Sequence, residues 1–313
     1  MSCVKCLAKV EGPCQAPMSC VERLAREGGV VTRKVVFVWV ALVLLFSCLV
    51  LAGECDALLA RADALYDTSN GAFDFAAYEF RLRESINLYE QGLALVPESA
   101  PQTRSATLNR LARAYFELAN AYIPTGPDQE AAYVAGKDHA LMSLRLDPAF
   151  VALEAASFRD ALSNANDIEA VFWYGTNFGC YLNYHQLEAI LGGGMRDVPV
   201  CYERAMALDE TFLAGAPLRS LGCYLAQVPQ FLGGDLVRAR ELLTRAIAMA
   251  PEFLQSATDL SQWVLKPTGE TAAFCSTLHD VVARAADPAV MGAWPLYNEL
   301  ALRRAVTMSS GCS

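Results

Sequence analysis

Three histidines, His139, His185 and His279, are the side chains best suited to proton transfer or metal ligation, and each falls in a different helical segment with no ligand spacing to another. The Asp and Glu pairs occupy helix positions that suit solvated faces. Glu299 and Arg303 stand at i, i+4, the spacing of a surface ion pair worth about 0.2–0.5 kcal/mol. Cys3-Val4-Lys5-Cys6 resembles half of a zinc site, but no second pair with proper spacing and no nearby histidine completes it. The chain has no glycine-rich phosphate loop and no nucleophile elbow. These residues predict no catalysis, no metal and no cofactor.

Recognition chemistry concentrates in Ala170-Val171-Phe172-Trp173-Tyr174-Gly175-Thr176-Asn177-Phe178-Gly179-Cys180-Tyr181. On a helix Phe172, Trp173 and Tyr174 point in different directions, so some enter the core and others face a groove or partner. Gly175 and Gly179 share a face that lets a second helix come close. Asn177, one turn from Trp173, can present an amide to the same groove. Aromatic walls with one amide suit a largely apolar ligand whose polar end takes a single oriented partner. They also suit a peptide, since Trp and Tyr are enriched at binding hot spots. Trp173, Tyr174 and Asn177 are therefore the candidate ligand- or partner-binding residues; plain core packing is the alternative.

A third kind of chemistry is acylation. Arg33-Lys34 precede the uncharged run Val35 to Ala52. Its length fits the apolar core of an export signal, with a retained membrane anchor as the alternative. Leu45-Phe46-Ser47-Cys48 has the form of a lipobox, with small Ser47 before a cysteine that takes the lipid, although Phe46 is bulkier than usual there. Cys55 is the competing site, but Glu54 is a poor residue before the cleaved bond. The expectation is a leader over residues 1–54, a lipid on Cys48 and a body over 55–313. Met18 is an alternative start. Export places the body where disulfides are allowed. Of the remaining Cys180, Cys201, Cys223, Cys275 and Cys312, at least one is unpaired, and the first three read as buried thiols on repeat helices.

The elements that position these residues are helices. Gly233-Gly234-Asp235 opens one, with Asp235 as the N-cap; Leu236, Ala239, Leu242, Leu243, Ala246 and Ile247 recur at helical spacing, and Pro251 ends it. Small Ala239 and Ala246 let a partner helix approach, so this reads as the second helix of a tetratricopeptide (TPR) hairpin whose partner lies upstream. Similar endings close at Pro97, Pro148 and Glu210, spaced more widely than the roughly 34 residues of a standard repeat. The fold class predicted is all-α, a degenerate TPR-like α-solenoid with long insertions. Helices are expected over 56–66, 73–96, 105–122, 130–146, 150–165, 167–184, 198–208, 213–225, 235–249, 255–265, 271–286 and 295–308, with a flexible loop at Gly192-Gly193-Gly194. The net charge of −9 over 313 residues argues against a nucleic-acid partner.

Phe172-Trp173-Tyr174-Gly175-Thr176-Asn177, the Leu208-Asp209-Glu210 ending, the Gly233-Gly234-Asp235 helix and Asn298-Glu299-Leu300-Ala301-Leu302-Arg303-Arg304-Ala305 follow one another in an order that resembles the TRAP-transporter-associated TPR proteins, the T component of TRAP-type transporters. The resemblance covers roughly residues 55–308 and is strongest over 167–251 and 298–305. It implies a periplasmic lipoprotein, a homotrimer of helical protomers each with a groove or pore, and association with the periplasmic substrate-binding protein of the transporter. The expected role is a non-enzymatic accessory subunit for solute uptake that docks this protein and binds or passes an apolar small molecule. A general TPR scaffold lipoprotein for envelope assembly is the alternative.

Overall fold

Short polar side chains start six of the described helices. Asp74, Asp147, Ser157, Asp167, Asp235 and Asp287 each accept a hydrogen bond from a first-turn backbone N–H. Proline occupies the first turn at Pro101, Pro127, Pro148, Pro288 and Pro295, where its missing N–H costs nothing. The computed structural model describes residues 53–69 and 72–312. The chain divides into Met1–Gly53 and Glu54–Ser313, and the second unit holds the helical body. The candidate anchor at 35–52, Cys48, Met18 and the Cys3–Cys6 pair lie outside the described residues.

All regular structure among the described residues is helical. In chain order it comprises α1 (53–66), α2 (Phe75–Leu95), α3 (Pro101–Tyr122), α4 (Pro127–Leu144), α5 (Pro148–Glu154), α6 (Phe158–Asn164), α7 (Ile168–Leu182) and α8 (Gln186–Leu191). Then come α9 (Gly194–Leu208), α10 (Phe212–Gln227), α11 (Leu236–Met249), α12 (Gln255–Leu260), α13 (Thr271–Arg284), α14 (Pro288–Ala293) and α15 (Pro295–Ser309). A π-helical turn, Ser261–Leu265, extends α12. None of the described helices is long and apolar enough to cross a membrane.

The architecture is a succession of packed helix pairs, α3 on α4, α4 on α7, α7 on α9 and α10 on α11. Ala239 and Ala246 are fully buried, and Gly222 of α10 lies against Leu243 and the Ala239 carbonyl. The upstream partner expected for α11 is therefore α10. A Cβ on Gly175 would come within 2.5 Å of Cys201 Cβ, so the α7–α9 contact requires glycine there.

Four details depart from the sequence expectation. The single helix expected over 150–165 is two, because Ser157 caps a new start. The supposed loop at Gly192–Gly194 is only a corner: Gly193 is left-handed (φ 86°), Gly194 opens α9, and α8 precedes it. Leu213, Ala214 and Gly215 form a left-handed turn with φ of 45°, 60° and 76°, so regular α10 begins later than expected. That conformation costs each non-glycine residue on the order of 1–2 kcal/mol. The short helix α14 had no periodic signal.

The core has a large central cluster, an N-terminal one over α1–α3 and a C-terminal one over α12, α13 and α15. Helix α15 crosses between them. Leu296 joins the N-terminal cluster and Tyr297 the central one. The Tyr297 hydroxyl donates to Glu117 Oε1 of α3 at 2.7 Å, the Tyr66 hydroxyl donates to Oε2 at 2.6 Å, and Arg113 Nε donates to Oε1 at 2.8 Å. A disulfide, Cys275–Cys312, ties the end of the chain to α13. Cys180, Cys201 and Cys223 are free thiols.

Candidate functional site

Helix α7 is apolar around most of its circumference, and such a helix belongs in an interior. It packs on α3, α4 and α9, which enclose Phe172, Trp173 and Tyr174 together. The indole of Trp173 packs on Phe116 and edge-on to Phe172, with ring centroids 5.5 and 4.9 Å away. Tyr174 packs edge-on to Phe158 and tilted on Phe178. Burial pushes its phenol well above the ordinary range. Asn177 Nδ2 donates to the carbonyls of Ala112 and Trp173 at 3.0 and 2.9 Å. Its amide fills the space that a side chain on Gly136 of α4 would need. All three candidate residues are thus buried: Trp173 packs on α3, Asn177 ties α7 to α3 and fills the gap at α4, and Tyr174 packs on α6.

A recess lies one turn further along. A cavity of about 470 Å³ opens between α7, α8, α9 and α10 and is closed at one end by the loop after α10. Thr176, Gly179 and Cys180 of α7 and Asn183 just after it line the recess, as do Met195, Val198 and Tyr202 of α9. Arg219, Ser220, Cys223 and Tyr224 come from α10, Ala189 and Ile190 from α8, and Leu232 from the loop. The volume falls in the range of small-molecule pockets, about 300–1,000 Å³. Sequence reasoning placed ligand contact on the bulky residues of α7. The small ones, Thr176, Gly179 and Cys180, make the concavity by leaving space unfilled. The repeat glycines were the legible signal, but the contribution of α8 and α10 was not.

The site has little reactive chemistry. Burial pushes the Cys180 thiol up to about 12, and burial with the nearby Asp259 carboxylate raises Cys223 well above its ordinary value. Both thiols stay protonated, which leaves them poor nucleophiles and poor metal ligands. Among the described residues no three His, Cys, Asp or Glu side chains gather as a metal site. His185 pairs with Glu130 at 2.7 Å and His139 lies 3.7 Å from Glu90. A larger recess elsewhere, about 590 Å³, includes Asp167, whose Oδ2 accepts from Ser105 Oγ at 2.8 Å and Asn109 Nδ2 at 2.9 Å. Asp167 Oδ1 caps Ala170 N, so this carboxylate is occupied in holding α7.

Exposed apolar side chains occur on the elements that line the cavity and just beyond them. Leu187, Ile190 and Leu191 of α8 are exposed, as are Phe231 beside Leu232 and Val237 at the start of α11. Arg303 pairs with Glu299 at 2.7 Å as the sequence spacing predicts, while Arg304 turns inward to Asp259 at 3.0 Å. Asn298 receives Leu254 N on its oxygen and donates to the carbonyls of Glu252 and Val290, which pins α15 to the turn before α12.

The fold is that of an all-α helical-repeat protein. The family model described as TRAP transporter T-component matches residues 130–311, which include α7, α10, all of the cavity lining but Phe116, and the Asn298 segment. The chain belongs to the TRAP transporter T-component family and has an accessory role in TRAP transport. No curated protein matches it.

Proposed function

We propose that this protein is a non-enzymatic periplasmic subunit of a TRAP-type uptake system that docks the substrate-binding protein and receives an apolar ligand from it or passes one to it. The observation that carries this reading is the cavity with exposed Ile190 in its lining, together with exposed Leu187 and Leu191 on the same helix and Phe231 next to Leu232. Monomeric proteins rarely expose such clusters without a partner. A ligand crossing between two proteins needs a mouth that stays dry during transfer, and an apolar rim supplies one. Trp173, Tyr174 and Asn177 act from behind, holding the α7 wall in place. The functional unit is a homotrimer anchored in the membrane by a lipid on Cys48. The Cys275–Cys312 disulfide favours an oxidising compartment. Cys48 is favoured over Cys55 because the Cys55 thiol is buried and directed at the Gly92 carbonyl, where an acyl group would displace α2.

The test is calorimetric titration of the detergent-solubilised mature protein with the substrate-binding protein of the same transport system. Saturable binding is expected, and Leu187→Glu with Phe231→Glu should weaken it by about 2 kcal/mol or more, roughly thirtyfold. Both side chains are exposed, so the melting temperature should hold. Unchanged affinity in the folded variant would remove the rim from the docking surface.

A further inference from the structure

The helices that line the cavity are held unequally. Helix α7 is capped by Asp167 and tied to α3 through Asn177. Helix α9 is held by the Arg159 guanidinium, which donates to Asp197 at 2.7 Å, and by the close approach of Gly175 to Cys201. Helix α10 is held by Arg219, 9% exposed, which pairs with Asp259 at 2.9 Å. Helix α8 is six residues long, buries only Ala189 and has no side-chain cap.

Both ends of α8 can turn. After it come Gly192 and Gly193, and Gly193 is left-handed at φ 86°, a conformation that glycine adopts without strain. Before it, Tyr184 and His185 stay with α4: the Tyr184 hydroxyl donates to Gln129 Oε1 at 2.5 Å, and His185 Nε2 lies 2.7 Å from Glu130 Oε1. Between these pivots one side-chain hydrogen bond holds the helix, from the Tyr181 hydroxyl of α7 to Glu188 Oε2 at 3.0 Å. His185 Nδ1, 4.0 Å from the same oxygen, is beyond hydrogen-bond reach.

The two faces of α8 differ in what they meet. Gln186, Ala189 and Ile190, at i, i+3 and i+4, line the cavity. Leu187 and Leu191, also four apart, are 75% and 83% exposed and lie outside the lining. A partner that covers these two leucines gains more apolar burial than the body loses by releasing one alanine.

We propose that α8 is a hinged flap that forms one wall of the cavity in the free protein and swings away when the docked substrate-binding protein grips Leu187 and Leu191. Its pivots are Tyr184–His185 and Gly192–Gly193, and its latch is the Tyr181–Glu188 hydrogen bond. The grip rests on the docking reading above; the swing does not.

Three thiols report the motion. Cys180 and Cys223, half-buried in the cavity lining, report opening, and Cys201, fully buried, reports loss of the fold. The full mature protein is treated with N-ethylmaleimide at pH 7.5, and labelling of each cysteine is followed by peptide mass spectrometry. When opening and closing are fast, labelling tracks the open population. Tyr181→Phe and Glu188→Ala should each speed labelling of Cys180 and Cys223 about fivefold, the weight of one partly exposed hydrogen bond. The double variant should match the single ones, because both remove the same bond. Both single variants should also bind the substrate-binding protein about fivefold more tightly, since the open form is the one it holds. Unchanged labelling in both variants would overturn the flap. Cys201 speeding in parallel would overturn it too, by showing that α8 moves only when the body unfolds. Faster labelling with unchanged affinity would refute the grip and leave docking standing. No binding by the unaltered protein would refute docking and the grip with it, and the labelling result would decide the flap alone.

Discussion

Glu117 is the strongest single test of how the chain is closed. It is 3% exposed and accepts from Arg113, Tyr66 and Tyr297, which come from α3, α1 and α15. Glu117→Ala removes the acceptor and leaves Arg113 facing two phenols. Stripping one partner from a buried ion pair costs about 3–5 kcal/mol. The Arg113 side chain keeps 21% of its surface exposed, so water can solvate part of it and the lower end applies, about 3 kcal/mol. That is a large share of the roughly 5–15 kcal/mol typical of a folded domain. At roughly 2–4 °C per kcal/mol for a body of this size, the melting midpoint should fall by about 10 °C. Glu117→Gln keeps an oxygen for the phenols but no charge for Arg113, and should lose about half as much. Tyr297→Phe deletes one hydrogen bond to a charged acceptor and should cost about 1.5–3 kcal/mol. The assay is urea unfolding followed by far-ultraviolet circular dichroism, with the midpoint and slope fitted for each variant. A loss below about 1 kcal/mol for Glu117→Ala, with an unchanged slope, would refute the argument that this carboxylate joins the two ends of the fold.

The same packing carries two further expected outcomes. Replacing Cys275 and Cys312 together by alanine opens a cross-link that spans 37 positions; the chain-entropy relation gives a loss of about 4 kcal/mol, readable as a lower urea midpoint. An unchanged midpoint would show that the last turn of α15 contributes nothing to cooperative unfolding. Trp173→Ala with Tyr174→Ala empties the centre of the core, and truncating a buried aromatic costs about 3–5 kcal/mol each, so the double variant should lose its cooperative melt. A preserved melt with lost ligand binding would instead put both rings in the binding surface.

Much of the helical register was legible in the sequence because it rests on local rules. Asp235 and Asp167 announce helix starts, Pro251 a stop, and the Ala239–Ala246 spacing a close partner. The order of the Phe172–Asn177 and Asn298–Ala305 segments carried the family resemblance, which the family match over residues 130–311 supports. What the sequence hid was non-local. Nothing near Tyr297 says that it reaches Glu117, 180 positions away. The left-handed turn at Leu213-Ala214 runs against the preference of both residues and is held only by its surroundings. Aromatic bulk drew attention to Trp173 and Tyr174, but a cavity forms where side chains are small. Arg219, lying in an otherwise apolar stretch, was the readable clue to a buried charge.

The return of α15 to α3 also sets an order of assembly. In an open helical array each repeat settles on its neighbour, so the first hairpins can fold while the rest is still being made. Here the N-terminal cluster includes Leu296, and Glu117 waits for Tyr297. A chain emerging N-terminus first carries α1–α3 with an unfilled apolar seam until nearly the last helix arrives. Such a high-separation contact slows folding and prolongs the exposure of that seam. It also keeps the chain pliable until synthesis ends, a useful condition for any polypeptide that must be threaded before it folds.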